Sequence, residues 1–473
     1  MEAAAYPDSQ RAAWNLYKNR LELQRATGNP PEYTPPAPGH YWGLYLWDEG
    51  FHAIIDARHG SAHSLEAAKT GLRTLVRGQH EDGSIPNFQD LGPRRRFEPE
   101  RIFGYESREH SNYTQPPVLA LAVAETQQAI RGQSGVDPEQ AEAAADEFLT
   151  EMYPSLKRFY EYFDAHRRNG INDRRIFIIH PHETGRDSDP TYDYLKPYRW
   201  PRNGVATTHA VDKANAGLDY FQSIRFGSKL RKANGDVAKA RELFGAVDVM
   251  MNCILADNLN EMAGMAQQLG RAEDEAYFSK YATEVEGKVL SEMWFGQART
   301  GEGIFYANKP DGEPIQEVSI SNLFPLVLEN LPEDQLESLL GMMDTSFNTP
   351  FPLPSVATTS PKYDPHNRES ERLWRGSVWQ NTNWYLVERG LRKQQSRTDL
   401  IHRTDLIERC LEWDKQITNR SRKMVAVKGI WEFYNPITGR GQRRRRVQNF
   451  AWSNLAYVMD VPYSGQITLK EAA

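Results

Sequence analysis

Helical periodicity recurs along nearly the whole chain with little strand signal to interrupt it, and this pattern limits the fold more than any other feature. Residues 9–27 place Ala12, Leu16, Leu21 and Leu23 along one helix, which stops at Gly28-Asn-Pro-Pro. The spacing predicts a helix over 61–78, and one from Val118 to Ile130 that starts behind Pro116-Pro117 and leaves Gln115 at its mouth. A helix pair is expected over 138–151 and 154–168, and helical sequence over 208–227. Residues 236–269 and 272–295 form a helical hairpin about Gly270. Further helices fall over 320–330, 333–344, 376–394, 400–418 and 448–460, while strand signals are confined mainly to 174–179 and 303–306. Function-rich polar loops separate the consecutive helix pairs. Such pairs can close into an all-α ring of two concentric helical layers, with the long loops at one mouth. A solenoid is the competing solution, but its loops would not gather such varied acids and aromatics.

The 473 residues are read as one catalytic domain, 1–473. No stretch of about eighteen apolar residues occurs, and the start, Met-Glu-Ala-Ala-Ala-Tyr-Pro-Asp, has neither the basic residues nor the apolar core of a secretory signal. With only Cys253 and Cys410, neither a disulfide framework nor a cysteine-rich zinc site is expected, and a reducing, cytoplasmic setting fits. A net charge of −6 gives no reason to expect nucleic acid as a partner, and Arg443 to Arg446 read as a solvated loop. The 11 Trp and 22 Tyr are more telling, because many stand beside glycines and polar residues outside the helical stripes. That placement suits stacking on sugar rings, whose C–H faces are apolar and whose rims need hydrogen bonds.

Three stretches concentrate the chemistry. In Gly39 to His52, Tyr41, Trp42, Tyr45, Trp47, Asp48 and His52 crowd a segment in which Trp47-Asp48 lies between Gly43 and Gly50 and follows no helical stripe; aromatic core is the alternative reading. The run His180-Pro-His-Glu-Thr-Gly-Arg-Asp-Ser-Asp-Pro190 leaves Glu183, Asp187 and Asp189 on an irregular loop behind the apolar segment 174–179. Partial desolvation there would keep a carboxyl protonated as a general acid; capping and pairing with Arg186 is the structural alternative. Near the C-terminus, Glu432 stands between Trp431, Phe433 and Tyr434, where a carboxylate needs a partner or a water, as a general base does. Otherwise Glu432 would face solvent from an alternating strand. Two such carboxylates are the equipment of glycoside hydrolysis. His180 and His182 lack the third ligand of a metal site, no phosphate-binding loop or nucleophile elbow occurs, and no cofactor is expected.

Trp47-Asp48 with Phe51, Thr114-Gln-Pro-Pro117, Glu183-Thr-Gly-Arg-Asp-Ser188, Trp374-Arg-Gly-Ser-Val-Trp379, Trp431-Glu-Phe-Tyr434 and Phe450-Ala-Trp-Ser453 stand in the order found in family 63 of the glycoside hydrolases. The chain resembles the compact mannosylglycerate and glucosylglycerate hydrolases of that family, with trehalases as more distant relatives. The resemblance implies an all-α (α/α)6 barrel and an inverting α-glycosidase acting on a small α-glucoside or α-mannoside, with Asp187 as general acid and Glu432 as general base. It places Trp47, Asp48, Gln115, Gly185, Arg375 and Trp379 in the sugar subsite, and Tyr41, Trp42, His80 and Trp452 are looser candidates from the same loops. The segment after Pro190 departs from the glycerate-recognising pattern, leaving Arg186, Arg199 and Arg202 as the arginines available to a carboxylate aglycone. Other readings are a non-catalytic carbohydrate-binding barrel, or an epimerase or lyase leaning on the histidines at 52, 80, 110, 180 and 182.

Overall fold

The computed structural model describes residues 7–93, 111, 113–195, 237–243, 245–296, 303–366, 373–441 and 447–459. Twelve helical segments within them build two layers. They are α1 (Pro7–Thr27), α2 (Leu46–His59), α3 (Ala62–Arg77), α4 (Leu119–Arg131), α5 (Pro138–His166), α6 (Val249–Gln268), α7 (Ala272–Glu292), α8 (Ile320–Val327), α9 (Glu333–Met342), α10 (Gln380–Tyr385), α11 (Thr404–Lys428) and α12 (Ala451–Tyr457). Of these, α8 and α12 are wound as 3-10 helix, and α10 continues through a π-wound turn to Gln395.

Burial separates the layers. The even-numbered segments are buried almost all round: every residue of α8, α10 and α12 is buried, and so is α2 from Leu46 to Ala57. A helix with no wet face belongs inside. The odd-numbered helices bury only stripes, as in α5, where Ala141, Ala145, Phe148, Met152, Leu156, Phe159 and Phe163 recur at helical spacing. Each inner segment packs on the next, α2 on α4, α4 on α6, α6 on α8, α8 on the extension of α10, α10 on α12, and α12 back on α2. That closes the ring of the (α/α)6 barrel.

The connections are unequal. Inner-to-outer links are short (60–61, 132–137, 269–271, 328–332, 396–403), whereas outer-to-inner links are long (28–45, 78–118, 167–248, 293–319, 343–379, 429–450). The described parts of the long links therefore gather at the mouth where the inner helices begin. Antiparallel pairing of Leu44 with Gln89 and Tyr45 with Phe88 ties two of them together there.

Several elements differ from expectation. The stretch around Trp47-Asp48 is helical from Leu46, because a fully buried helix carries no polar face to reveal its period. The expected pair over 138–151 and 154–168 is one helix, in which Pro154 and Thr150 both face solvent, where water can satisfy the carbonyl freed by the missing N–H. Conversely, 236–269 is broken: Gly245 takes φ +47, Ala246 and Val247 bridge to Ile178 and Asn308, and Asp248 caps α6 through the Met251 N–H. Residues 208–227 lie outside the described residues. The strand expected over 174–179 is Asp173–Ile176, paired with Arg168–Gly170, and that over 303–306 is Gly303–Phe305, paired with Trp294–Gly296.

Candidate active site

The loop after the Asp173–Ile176 strand sorts its three acids by partner. Glu183 is fully buried and accepts from Arg167 Nη1 at 2.9 Å and Nη2 at 2.6 Å, from the Ile179 N–H at 2.7 Å and from the Thr114 N–H at 3.2 Å. Asp189 is fully buried as well, paired with Arg186 and accepting the Thr191 N–H at 2.9 Å. Arg186 also reaches Asp248 at 2.5 Å and Tyr192 Oη at 3.2 Å. Its guanidinium is thus committed to the core, which removes Arg186 from the arginines expected to meet a carboxylate ligand. Arg199 and Arg202 lie outside the described residues.

Asp187 is the one exposed side chain between Glu183 and Tyr192. Its neighbours are fixed: Arg186 by its ion pairs, and Ser188 by accepting the Trp374 N–H at 3.0 Å. Gly185 makes the turn possible. It sits at φ +65, and a Cβ there would run into the six-membered ring of Trp47.

Glu432 is held from the opposite side of the mouth. Val378 and Tyr434 exchange backbone hydrogen bonds at 2.8 and 2.9 Å, the Glu432 N–H reaches the Val447 carbonyl at 3.3 Å, and Trp452 Nε1 donates to the Glu432 carbonyl at 3.4 Å. The Glu432 side chain is 6% exposed, and Tyr41 Oη donates to its Oε1 at 3.1 Å. The structural alternative of a solvent-facing strand residue does not hold.

Aromatic rings surround this pair. Trp374 and Trp379 stack in parallel at 4.0 Å, and Trp452 meets Trp47 and Trp379 edge-on at 5.4 and 5.8 Å. Phe433 leans on Trp379 and Phe450 on Trp452, while Tyr41 meets Phe450 and Tyr45 edge-on. Gln115 accepts the Trp47 N–H at 3.1 Å, which locks the start of α2 to the loop before α4. Asp48, in the first turn of α2, is 4% exposed. Burial, then the nearby charge of Glu432, pushes its carboxyl well above the ordinary value, with Asp187 adding to the effect. The three carboxyls therefore share one electrostatic neighbourhood.

The remaining candidates sit further out. Trp42 is half-buried, with its carbonyl accepting from Tyr33 Oη at 2.6 Å, and the His80 ring engages the Ser111 carbonyl at 3.2 Å. Arg375 is buried in a two-pronged bond to Asp193, at 2.7 and 2.5 Å. Asp193 was not foreseen, and Trp374 and Phe433, which form a wall here, stand in the sequence reading only as motif neighbours and not as site residues; for Trp374 the signal was its spacing of five from Trp379. Of the histidines, His52 is fully buried against Glu49 and pushed down to about 3 by burial, and His180 stacks on Tyr113 at 4.8 Å, so neither is placed as a base. His110 lies outside the described residues. Among the described residues no group of three or more His, Cys, Asp or Glu is placed to hold a metal ion, and no helix is long and apolar enough to cross a membrane.

Because burial and the nearby charge of Glu432 raise the Asp48 carboxyl in the fold, it holds a proton more tightly there than in the unfolded chain, and its contribution to stability falls as pH rises from the ordinary value of 3.8 towards the raised one. Asp48→Asn is expected to flatten that dependence and raise the melting temperature at pH 8 more than at pH 5. Thermal melts at the two pH values check it; an unchanged difference would show that Asp48 is ionised in the fold.

A double ring of helices with carboxyls and stacked tryptophans gathered at one mouth has the make-up of a carbohydrate-active barrel enzyme. The family model described as "mannosylglycerate hydrolase MGH1-like glycoside hydrolase domain" matches residues 41–453, and the chain belongs to that family of glycoside hydrolases. It is 25% identical to the mannosylglycerate hydrolase of Rubrobacter radiotolerans over 456 residues, 92% of this chain and 94% of that one. It is 27% identical to the mannosylglycerate hydrolase of a Thermus thermophilus strain, over 89% of this chain and 94% of that one. In fold it resembles the family 63 mannosylglycerate hydrolase of another Thermus thermophilus strain, solved with Tris and D-glycerate, with a TM-score of 0.74 at 22% identity over 96% of this chain and 99% of that one. Family membership supports hydrolysis over the non-catalytic, epimerase and lyase readings.

Proposed function

We propose that the whole ring works as one catalytic domain, an inverting α-glycosidase in which Asp187 is the general acid and Glu432 the general base. The observation that carries this reading is the sorting of the acid loop: Arg167 and Arg186 bind Glu183 and Asp189 internally, and only Asp187 is presented outward. Asp187 gives its proton to the departing glycosidic oxygen as the C1–O bond breaks. Water attacks C1 from the opposite face, and Glu432 takes the proton that the water loses. The products are a β-configured sugar and a free alcohol. Inversion needs room for the water, so the two carboxyls stand about 6.5–9.5 Å apart in the working enzyme. Tyr41, by donating to Glu432 Oε1, aims the base. Trp47, Asp48, Gln115, Gly185, Arg375, Trp379 and Trp452 form or support the sugar subsite, with Trp42 and His80 at its rim.

The substrate is a small α-glucoside or α-mannoside, either a disaccharide or a glycosylated small acid of the kind named for the relatives. Arg375 arrives already matched by Asp193, and Lys362 by Glu317. Among the described residues, this part of the mouth therefore brings no surplus cation for a carboxylate aglycone. Incubation with trehalose, kojibiose, nigerose, glucosylglycerate and mannosylglycerate tests the assignment. Hydrolysis of at least one is expected, and turnover restricted to long oligosaccharides would overturn the small-substrate reading.

A further inference from the structure

Gln380 and Asn381 are fully buried, yet among the described residues neither end of either side-chain amide has a hydrogen-bond partner, and the same holds for Nε1 of Trp379 and Trp384. Buried amides are nearly always satisfied, so an adjacent pair of such groups points to a partner from outside the protein. Their level in the barrel follows from helix geometry. Trp384 meets Phe51 of α2 edge-on at 6.0 Å, and Tyr385 Oη bonds Asp257 and Asn258 of α6, so both look towards the barrel axis. Gln380 and Asn381 precede them by four residues and share that inward face one turn nearer the mouth. On α2, Trp47 and Asp48 precede Phe51 by four and three residues and lie at the same level, Trp47 touching Phe51 at 5.9 Å. Both inner helices begin at this mouth, so the two amides lie at the height of the sugar subsite.

We propose that Gln380 and Asn381 are positioning residues that hold ordered water as the floor of the sugar subsite, and that this water fixes the Asp48 carboxyl against the bound sugar. The proposal rests on Asp48 belonging to that subsite. The donors and acceptors of the two amides complement a water, and a water so held can accept from or donate to the carboxyl above it.

Gln380→Leu and Asn381→Leu test the floor. Replacing a buried amide by an apolar group of similar size removes its need for a partner together with the water it holds, so melting temperature changes little. Loss of the floor is expected to lower kcat/KM at least about tenfold, mainly through KM, and to add little on an Asp48→Ala background because both act through one carboxyl. A raised melting temperature with unchanged kinetics would overturn the proposal, as would effects that add fully to those of Asp48→Ala. Should both variants fail to fold, the wild-type enzyme at high resolution decides: water bonded to both amides supports the floor, and dry packing around them refutes it. Normal activity in Asp187→Ala would instead remove the catalytic assignment, a failure separate from either result.

Discussion

Asp187→Ala and Glu432→Ala each lower kcat on a non-activated α-glycoside by about 10³-fold or more, with the fold intact. The loop tolerates the first change because, among the described residues, Asp187 contributes no bond that shapes it; Arg186, Ser188 and Asp189 do that. The two variants then part on an α-glycosyl fluoride. Fluoride leaves without protonation, so Asp187→Ala recovers much of its rate. Glu432→Ala does not, since the water still lacks a base. Wild-type rates for either variant on the non-activated substrate would remove that residue from the mechanism, and recovery of both on the fluoride would show that no base is needed.

Glu183→Ala has the other large effect, on stability. Arg167 is buried with Glu183 as its carboxylate, and the Ile179 and Thr114 N–H groups end on the same side chain. Removing the acid leaves a buried guanidinium uncompensated, at a cost of about 3–5 kcal/mol. The damage spreads along two routes to the site: through Ile179 into the Asp187 loop, and through Thr114 to Gln115 and thence the start of α2. Arg167→Met added to Glu183→Ala restores part of the stability by removing the stranded charge, but not the activity, because the loop remains untied. Chemical denaturation of the single and double variants measures this. A single variant within about 1 kcal/mol of wild type would show that the pair does not hold the loop.

The amphipathic outer helices were legible in the sequence, as the agreement of 9–27 with α1 and 61–78 with α3 shows. In the buried inner layer, 118–130 agreed with α4 and 320–330 with α8, but α2 and the winding of α8 and α12 were not foreseen. Leu46–His59 lacks the polar face that periodicity needs, and α8 and α12 are 3-10 wound, a choice made by tertiary packing. In the site, proline and glycine marked the Asp187 loop, and neighbouring aromatics marked Glu432. Partner choice was hidden, because nothing local says that Glu183 answers Arg167 at the far side of a hairpin or that Arg375 answers Asp193 across 182 positions. Arg186 carried the same ambiguity until its burial between Asp189 and Asp248 resolved it.

Proton NMR of the anomeric signals during the first turnovers on a hydrolysed α-glucoside or α-mannoside tests the paired roles of Asp187 and Glu432 most directly. Water attacking opposite the leaving group releases the β-anomer first, with the α-anomer growing in by mutarotation. Initial release of the α-anomer would contradict the assignment of Glu432 as the base that activates that water.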